Sequence, residues 1–252
     1  MTPGRGGAGD SARAASPGPP GAPPDGGALR AAEREARDEA APFAVLAALL
    51  LVGLALVSRH AGWELAGGTG WWVWLLAAAP QLLLAVTLMA GLGAGVATRA
   101  VRRRTVQWLL ACVLAIQLAA VALLVASLLQ TGAHIHGGQL LLSAVVVWLT
   151  DTVAFGLVLW ELDCGGPVPR ALEARTAPDI QFPQDDNPAM ARPGWRPGLV
   201  DYLYVSLTNS IAFSPTDAMP LTRPAKVVMA LESVLSIVAV LVVAARAVNI
   251  LG

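Results

Sequence analysis

Residues 106–129 read VQWLLACVLAIQLAAVALLVASLL, and this stretch decides the fold. No charged side chain occurs from Thr105 to Gln130, and none occurs from Trp71 to Thr98. Either stretch exceeds the roughly 20 apolar residues that a helix needs to cross a hydrocarbon core about 30 Å thick. We therefore interpret both stretches as transmembrane helices rather than as buried helices of a soluble domain.

The composition of the whole chain supports the same class of protein. Of the 252 residues, 56% are hydrophobic and only 13% are charged. Because so few charges cannot cover so much apolar surface in water, the excess must face lipid. The formal net charge is zero, so the chain lacks the basic field that attracts proteins to nucleic acid. The partner that we predict is the lipid bilayer, and a homo-oligomer is also compatible with the pattern.

Apolar and polar segments alternate along the chain. Residues 1–41 are rich in Gly, Pro, Ala and charged residues and predict a disordered cytoplasmic tail, within which residues 28–40 favour a short solvated helix. Residues 42–252 predict an all-α membrane domain, a polytopic transmembrane helical bundle. The five predicted spans are residues 42–58, 71–97, 106–129, 139–160 and 225–250.

Arginine is distributed unevenly between the two sides of the predicted bundle. Thirteen Arg fall in the tail and in the loops after the second and fourth spans, whereas the opposite loops hold only Arg59. Because positively charged loops stay in the cytoplasm, we predict a cytoplasmic N-terminus. The basic residues are sixteen Arg and one Lys, which together with abundant Ala and Gly is typical of a GC-rich bacterial genome. The predicted location is therefore a bacterial plasma membrane.

One segment, residues 199–222 (LVDYLYVSLTNSIAFSPTDAMPLT), does not fit a full span. Its apolar part is short and is interrupted by Ser206, Thr208, Asn209 and Ser210. Such a length suits an element that enters the bilayer and returns better than one that crosses it. Pro215 then breaks the helix, since proline lacks a backbone donor. We predict a re-entrant or interfacial helix here.

Several longer motifs stand within residues 148–252. They are Trp160-Glu161-Leu162-Asp163, Gly165-Gly166-Pro167, Phe182-Pro183-Gln184, Asp201-Tyr202-Leu203-Tyr204, the run 206–221 and the ending Arg246-Ala247-Val248-Asn249. Through them this part of the chain resembles a family of uncharacterised bacterial, chiefly actinobacterial, integral membrane proteins. It is more distantly similar to a broader group of inner-membrane domains of unknown function. The resemblance implies a membrane protein and names no activity.

A second similarity is to the pore half of potassium channels, in which a short helix is followed by a carbonyl-lined filter, an Asp and an inner helix. Thr208 to Asp217, followed by a final span, has this outline. The sequence departs from the channels at the filter, because Phe213-Ser214-Pro215-Thr216 stands where glycines would let carbonyl rings coordinate an ion. The predicted cytoplasmic entry also differs from that of a channel pore loop.

Asp151, near the middle of the fourth predicted span, is the first candidate functional residue. A carboxylate at mid-bilayer costs about 2.5–3.5 kcal/mol on insertion scales, so a partner must hold it there. One hypothesis is a proton or cation relay in which Asp151 pairs with Gln117 at similar depth in the third span. The alternative is a protonated Asp that makes one interhelical hydrogen bond.

Other polar residues extend this candidate pathway. Asp217 could line a polar vestibule or could simply cap a chain reversal. Glu232 could join the pathway or could point to the surface near Lys226. The remaining candidates share a polar side chain within the re-entrant segment, and they are Thr208, Asn209, Ser210, Ser214 and Thr216.

No pattern of enzyme chemistry is visible in the sequence. The His134-x-His136 pair has too few neighbouring ligands for a metal site, and no nucleotide-binding or hydrolase motif occurs. We predict no enzyme activity, no metal and no cofactor. Two hypotheses for function remain: a channel- or transporter-like role that uses the polar re-entrant segment, and a non-catalytic membrane scaffold or assembly protein.

Overall fold

The computed structural model describes residues 26–90, 96–129, 137–172, 177–212 and 217–251. It is an all-α bundle in which five helices are long and apolar enough to cross a membrane, as the sequence predicts. These helices are α1 (Gly26–His60), α2 (Trp72–Met89), α3 (Val96–Leu129), α4 (Gly137–Leu162) and α8 (Arg223–Leu251). The shorter elements are α5 (Pro167–Ala171), α6 (Pro183–Asp186), α7 (Leu199–Ala212), β1 (Ile180–Gln181) and β2 (Met219–Pro220).

Helix α4 lies at the centre of the bundle. It packs against α1, α3, α7 and α8. In its most apolar stretch 61% of the residues are buried, against 33–44% in the other four spans. Polar side chains on α4 are therefore withdrawn from lipid and face other helices. This position explains how the α4 helix can carry an aspartate near its middle.

Helix α1 begins earlier than the sequence indicates. Residues 28–40, predicted to be a solvated part of the tail, form its first turns. Ala32, Ala36 and Ala40 are at most 5% exposed, and this face packs against α5. An alanine every fourth residue places a small-residue stripe on one side of the helix, where a neighbour can approach closely. Pro42 lies inside α1 rather than at its start.

The boundary between the second and third spans also differs from the prediction. Helix α2 ends at Met89 rather than at residue 97, and residues 91–95 lie outside the described part of the chain. Helix α3 starts at Val96 and includes the arginine-rich residues 99–104 that the sequence assigned to a loop. Arginine is a good helix former, and this stretch contains neither Gly nor Pro, so the α3 helix continues beyond its apolar part.

Helix α7 is the short helix that the sequence predicts within residues 199–222, which we call the re-entrant segment after that prediction. It has 14 residues and is therefore about 21 Å long, too short to cross a bilayer. Near its start, the Tyr202 hydroxyl donates to Asp163 Oδ2 at 2.6 Å, at the end of α4. Further along, Ser206 Oγ donates to the carbonyl of Thr152 at 2.8 Å, about three turns deeper along α4.

The chain then returns to the end of the bundle from which it entered. Strand β2 pairs antiparallel with β1, with Ile180 opposite Pro220. Thr222 Oγ1 donates to Asp179 Oδ1 at 2.6 Å, and the Asp179 backbone N–H donates to Asp163 Oδ1 at 2.7 Å. Both ends of the re-entrant segment are therefore tied to the same end of α4. Residues 213–216, which include the candidates Ser214 and Thr216, lie outside the described part.

Candidate functional site

The close contact between α4 and α7 depends on Gly156. A Cβ atom at this position would lie 2.7 Å from Leu203 Cδ2 and 3.2 Å from Leu203 Cα. Distances this short are below ordinary van der Waals contact, so the missing side chain lets the two helices approach. This approach brings the polar face of α7 against the middle of α4. Helix α8 closes the third side, because it contacts both α4 and α7.

Glu232 on α8 is fully buried in the space that these three helices enclose. Its Oε2 atom accepts a hydrogen bond from Asn209 Nδ2 at 2.8 Å, and its Oε1 atom is hydrogen-bonded to Ser206 Oγ. Asn209 Nδ2 also donates to the Met229 carbonyl at 2.9 Å, and Ser233 Oγ donates to Asn209 Oδ1 at 3.1 Å. Glu232 therefore points into the bundle. The alternative of a surface-directed carboxylate is wrong, because the rotation of α8 turns this side chain toward α7.

Asp151 on α4 lies beside this network and is 2% exposed. Within the described part of the chain, neither of its carboxyl oxygens accepts a hydrogen bond. The side chain of Gln117 on α3 neighbours this carboxyl. Ser206 contacts both Glu232 Oε1 and the carbonyl of Thr152, the residue after Asp151, so Glu232 lies at the same level of α4. Gln117 Nε2 donates to Thr150 Oγ1 at 2.8 Å. We use the name polar centre for the carboxyls of Asp151 and Glu232, the amides of Gln117 and Asn209, and the hydroxyls of Ser206 and Thr150 that contact them.

The polar centre includes residues that the sequence argument missed. Ser206 lies between Glu232 and the Thr152 carbonyl, and Thr150 holds the Gln117 amide. Ser206 precedes Asn209 by three residues, so both lie on one face of α7, and this spacing is the signal that could have identified it. Thr150 carries no such signal, since a threonine beside an aspartate is common in any apolar helix.

Other predicted candidates lie elsewhere. Thr208 Oγ1 donates to the Tyr204 carbonyl of its own helix at 2.9 Å, and Ser210 Oγ donates to the Leu207 carbonyl at 2.8 Å. Asp217 is exposed and directly precedes Ala218 and β2, at the end of the bundle where the re-entrant segment enters. Of the predicted candidates, Asn209 therefore belongs to the polar centre, whereas Asp217 lies outside it.

A second buried cluster holds the entry end of the re-entrant segment. Arg170 Nη1 donates to the carbonyls of Trp160 and Asp163 at 3.0 and 2.9 Å and lies 3.9 Å from Asp163 Oδ2. Asp163 Oδ1 accepts from the backbone N–H groups of Asp179 and Ile180. We call Asp163, Arg170 and Tyr202 the ionic cluster. All three side chains are at most 4% exposed.

Tyr202 completes the ionic cluster as a donor. Burial raises the pKa of Tyr202 above its usual range, so the phenol stays protonated and donates a hydrogen bond to Asp163 Oδ2. The Arg170 guanidinium lies 4.9 Å from the centre of the Tyr202 ring, and Phe182 meets the same ring edge-on at 5.3 Å. Three of the sequence motifs noted above, those containing Asp163, Phe182 and Tyr202, therefore meet in this cluster. Their visible role is to hold the re-entrant helix in place.

Comparisons of the chain with protein-family models, with curated proteins and with solved structures find no match. The geometry of the polar centre is therefore the basis for a functional proposal.

Proposed function

We propose that this multi-pass membrane protein transports an ion, in a channel- or transporter-like manner, through the polar centre between α4, α7 and α8. The observation that supports the proposal is the pair of carboxyls, Asp151 and Glu232, buried in the apolar middle of two spans. Ionisable groups at this depth are costly, and in membrane proteins they mark ion and proton pathways. We place the protein in a bacterial plasma membrane with its N-terminus in the cytoplasm.

The re-entrant helix supports the same proposal. Transporters commonly build ion sites near the bilayer midplane from helices that do not cross it completely. Helix α7, which is too short to cross the bilayer, brings Ser206 and Asn209 to Glu232. An ion path would run from the entry end of α7 to Glu232 and Asp151, and onward between α3 and α4.

The second candidate function is a membrane scaffold or assembly protein. It is favoured by the hydrogen bonds of Glu232, because both of its carboxyl oxygens already have partners from α7. In that case the interhelical hydrogen bonds would only fasten the helices together.

Ion flux into liposomes that contain the purified protein tests the proposal. We expect flux above that of empty liposomes, and we expect Asp151→Asn and Glu232→Gln to reduce it at least tenfold. Glu64→Gln is the matched control, because Glu64 is exposed in the loop between α1 and α2, and it should conduct like the unaltered protein. Each variant must elute as a monodisperse peak. Absence of flux from the unaltered protein would favour the scaffold.

A further inference from the structure

The proton count at Ser206 restricts the state of Glu232. Ser206 Oγ is within hydrogen-bond distance of both the Thr152 carbonyl and Glu232 Oε1, but a hydroxyl has a single proton to donate. A carbonyl can only accept. When Ser206 donates to Thr152, the bond to Glu232 needs a proton from the carboxyl group itself. The geometry is therefore complete when Glu232 is the neutral acid and donates to Ser206 Oγ.

The hydrogen-bond acceptors around Asp151 outnumber the donors. Because Gln117 Nε2 donates to Thr150, the other end of the amide, Gln117 Oε1, is a buried acceptor. Within the described residues this atom and both Asp151 oxygens have no hydrogen-bond partner, although Gln117 is 0% and Asp151 2% exposed. Three adjacent buried acceptors without a donor are unfavourable. One proton on Asp151 turns its carboxyl into a donor for Gln117 Oε1.

A metal cation fits the polar centre less well than a proton. Ca²⁺ and Mg²⁺ take six or more oxygen ligands, and K⁺ exchanges its hydration shell for rings of oxygens. Among the described side chains that form the polar centre, three oxygens are unengaged, the two of Asp151 and Gln117 Oε1. Both Glu232 oxygens are hydrogen-bonded to α7. A proton needs only one donor atom and one acceptor atom. The centre offers two such arrangements, Asp151 with Gln117 Oε1 and Glu232 with Ser206 Oγ.

Among the described residues, the side chains that lie against the two carboxyls carry no positive charge. They are Gln117 from α3 and Ser206 and Asn209 from α7, and each carboxyl also faces the other. These neighbours do not balance the negative charge of an ionised form. Two ionised carboxylates would also repel each other in a medium of low dielectric constant.

Resting on the proposed ion transport, we infer that the ion bound at this pair is a proton, with Asp151 and Glu232 each holding one in the conformation described. The Asp151 carboxyl donates a hydrogen bond to Gln117 Oε1, and the Glu232 carboxyl donates one to Ser206 Oγ. Release of one proton at a time then leaves one carboxylate at a time. When Asp151 is ionised, rotation of the Gln117 amide would let Gln117 Nε2 donate to Asp151 while the Thr150 hydroxyl donates to Gln117 Oε1.

Two measurements on the full-length protein in liposomes test this inference. In the first, an internal pH dye reports proton uptake driven by a pH gradient, while Na⁺ and K⁺ fluxes are followed separately. We expect proton uptake that is unchanged when Na⁺ replaces K⁺. Flux of Na⁺ or K⁺ without proton uptake would overturn the proton assignment and leave the proposed transport intact. No flux of any ion would instead overturn the proposed transport.

In the second measurement, infrared spectra of the same liposomes at neutral pH report the carbonyl band of protonated carboxyl groups. We expect Asp151→Asn and Glu232→Gln each to remove part of this band, and Glu64→Gln to leave it unchanged. A band that is the same in all three variants would show that both carboxyls are ionised, and it would overturn the inference whether or not the protein transports ions.

Discussion

Asn209 Nδ2 lies 2.8 Å from Glu232 Oε2, so a hydrogen bond buried in the bundle joins the re-entrant helix to the final span. The same amide nitrogen lies 2.9 Å from the Met229 carbonyl. One side chain therefore fixes both the depth of α7 and its rotation relative to α8. The bond also gives the Glu232 carboxyl a partner at a depth where lipid offers none.

Replacing Asn209 should destabilise the protein. We expect Asn209→Ala to lower the free energy of unfolding by about 1–3 kcal/mol, because Glu232 Oε2 loses its buried donor. Thr208→Ala is the matched control on the same helix, since the Thr208 hydroxyl donates to carbonyls of its own turn. Thermal denaturation in detergent measures both variants. Equal midpoints would contradict the structural role assigned to Asn209.

Adding a methyl group at Gly156 should push α7 away from α4. The new Cβ would meet Leu203 Cδ2 at 2.7 Å, and overpacking of this kind costs about 1–3 kcal/mol. Gly53→Ala is the control, because no heavy atom lies within 4 Å of a Cβ built there. We expect only Gly156→Ala to lower the thermal midpoint. Partial recovery in the Gly156→Ala/Leu203→Ala double variant would show that the clash with Leu203 is the cause.

Removing the charge of Asp163 should disrupt the ionic cluster. Asp163→Asn leaves the Arg170 guanidinium buried without its carboxylate, and breaking a buried pair in this way costs about 3–5 kcal/mol. An exposed carboxylate, Asp217, provides the control, and Asp217→Asn should leave the thermal midpoint unchanged. We expect poor recovery of folded Asp163→Asn protein by size-exclusion chromatography. Recovery equal to that of Asp217→Asn would argue against the cluster as the anchor of α7.

The stability of the protein should fall at alkaline pH through Tyr202. Because burial raises the pKa of Tyr202 in the folded state, the folded protein keeps the phenol proton more strongly than the unfolded chain does. This contribution is complete below the unfolded pKa of about 10 and is lost as pH rises above it. Tyr202→Phe should be less stable than the unaltered protein at neutral pH and should lose less stability above pH about 10. Parallel pH profiles would contradict this assignment.

Both ends of the re-entrant segment should react from the same side of the membrane. After Cys112 and Cys164 are replaced, single cysteines are introduced at Met190, in the loop before α7, and at Met219, in β2 after it. The two positions are 82% and 61% exposed. We expect a membrane-impermeant thiol reagent to label both from the cytoplasmic side in inverted vesicles, and neither in intact spheroplasts. Labelling of the two positions from opposite sides would mean that residues 199–218 cross the bilayer.

The sequence alone determined the number of spans and the short helix between the last two of them. Both follow from the length and apolar content of single segments, because the free energy of transfer into lipid depends mainly on local composition. Asp151 and Gln117 also stood out, since polar residues within apolar runs are visible without a structure. The sequence predicted a helix at residues 28–40 but not that it is continuous with α1 and buried on one side, because that burial depends on packing against distant segments such as α5.

Only the tertiary structure decided which polar residues meet. The direction of the Glu232 side chain depends on how α8 is rotated against α7, and hydropathy along a single helix does not specify that rotation. The ionic cluster joins Asp163, Arg170 and Tyr202 from three segments whose spacing in the chain carries no signal of contact. Such contacts arise when helices pack at close range, and here the absence of a side chain at Gly156 permits that packing.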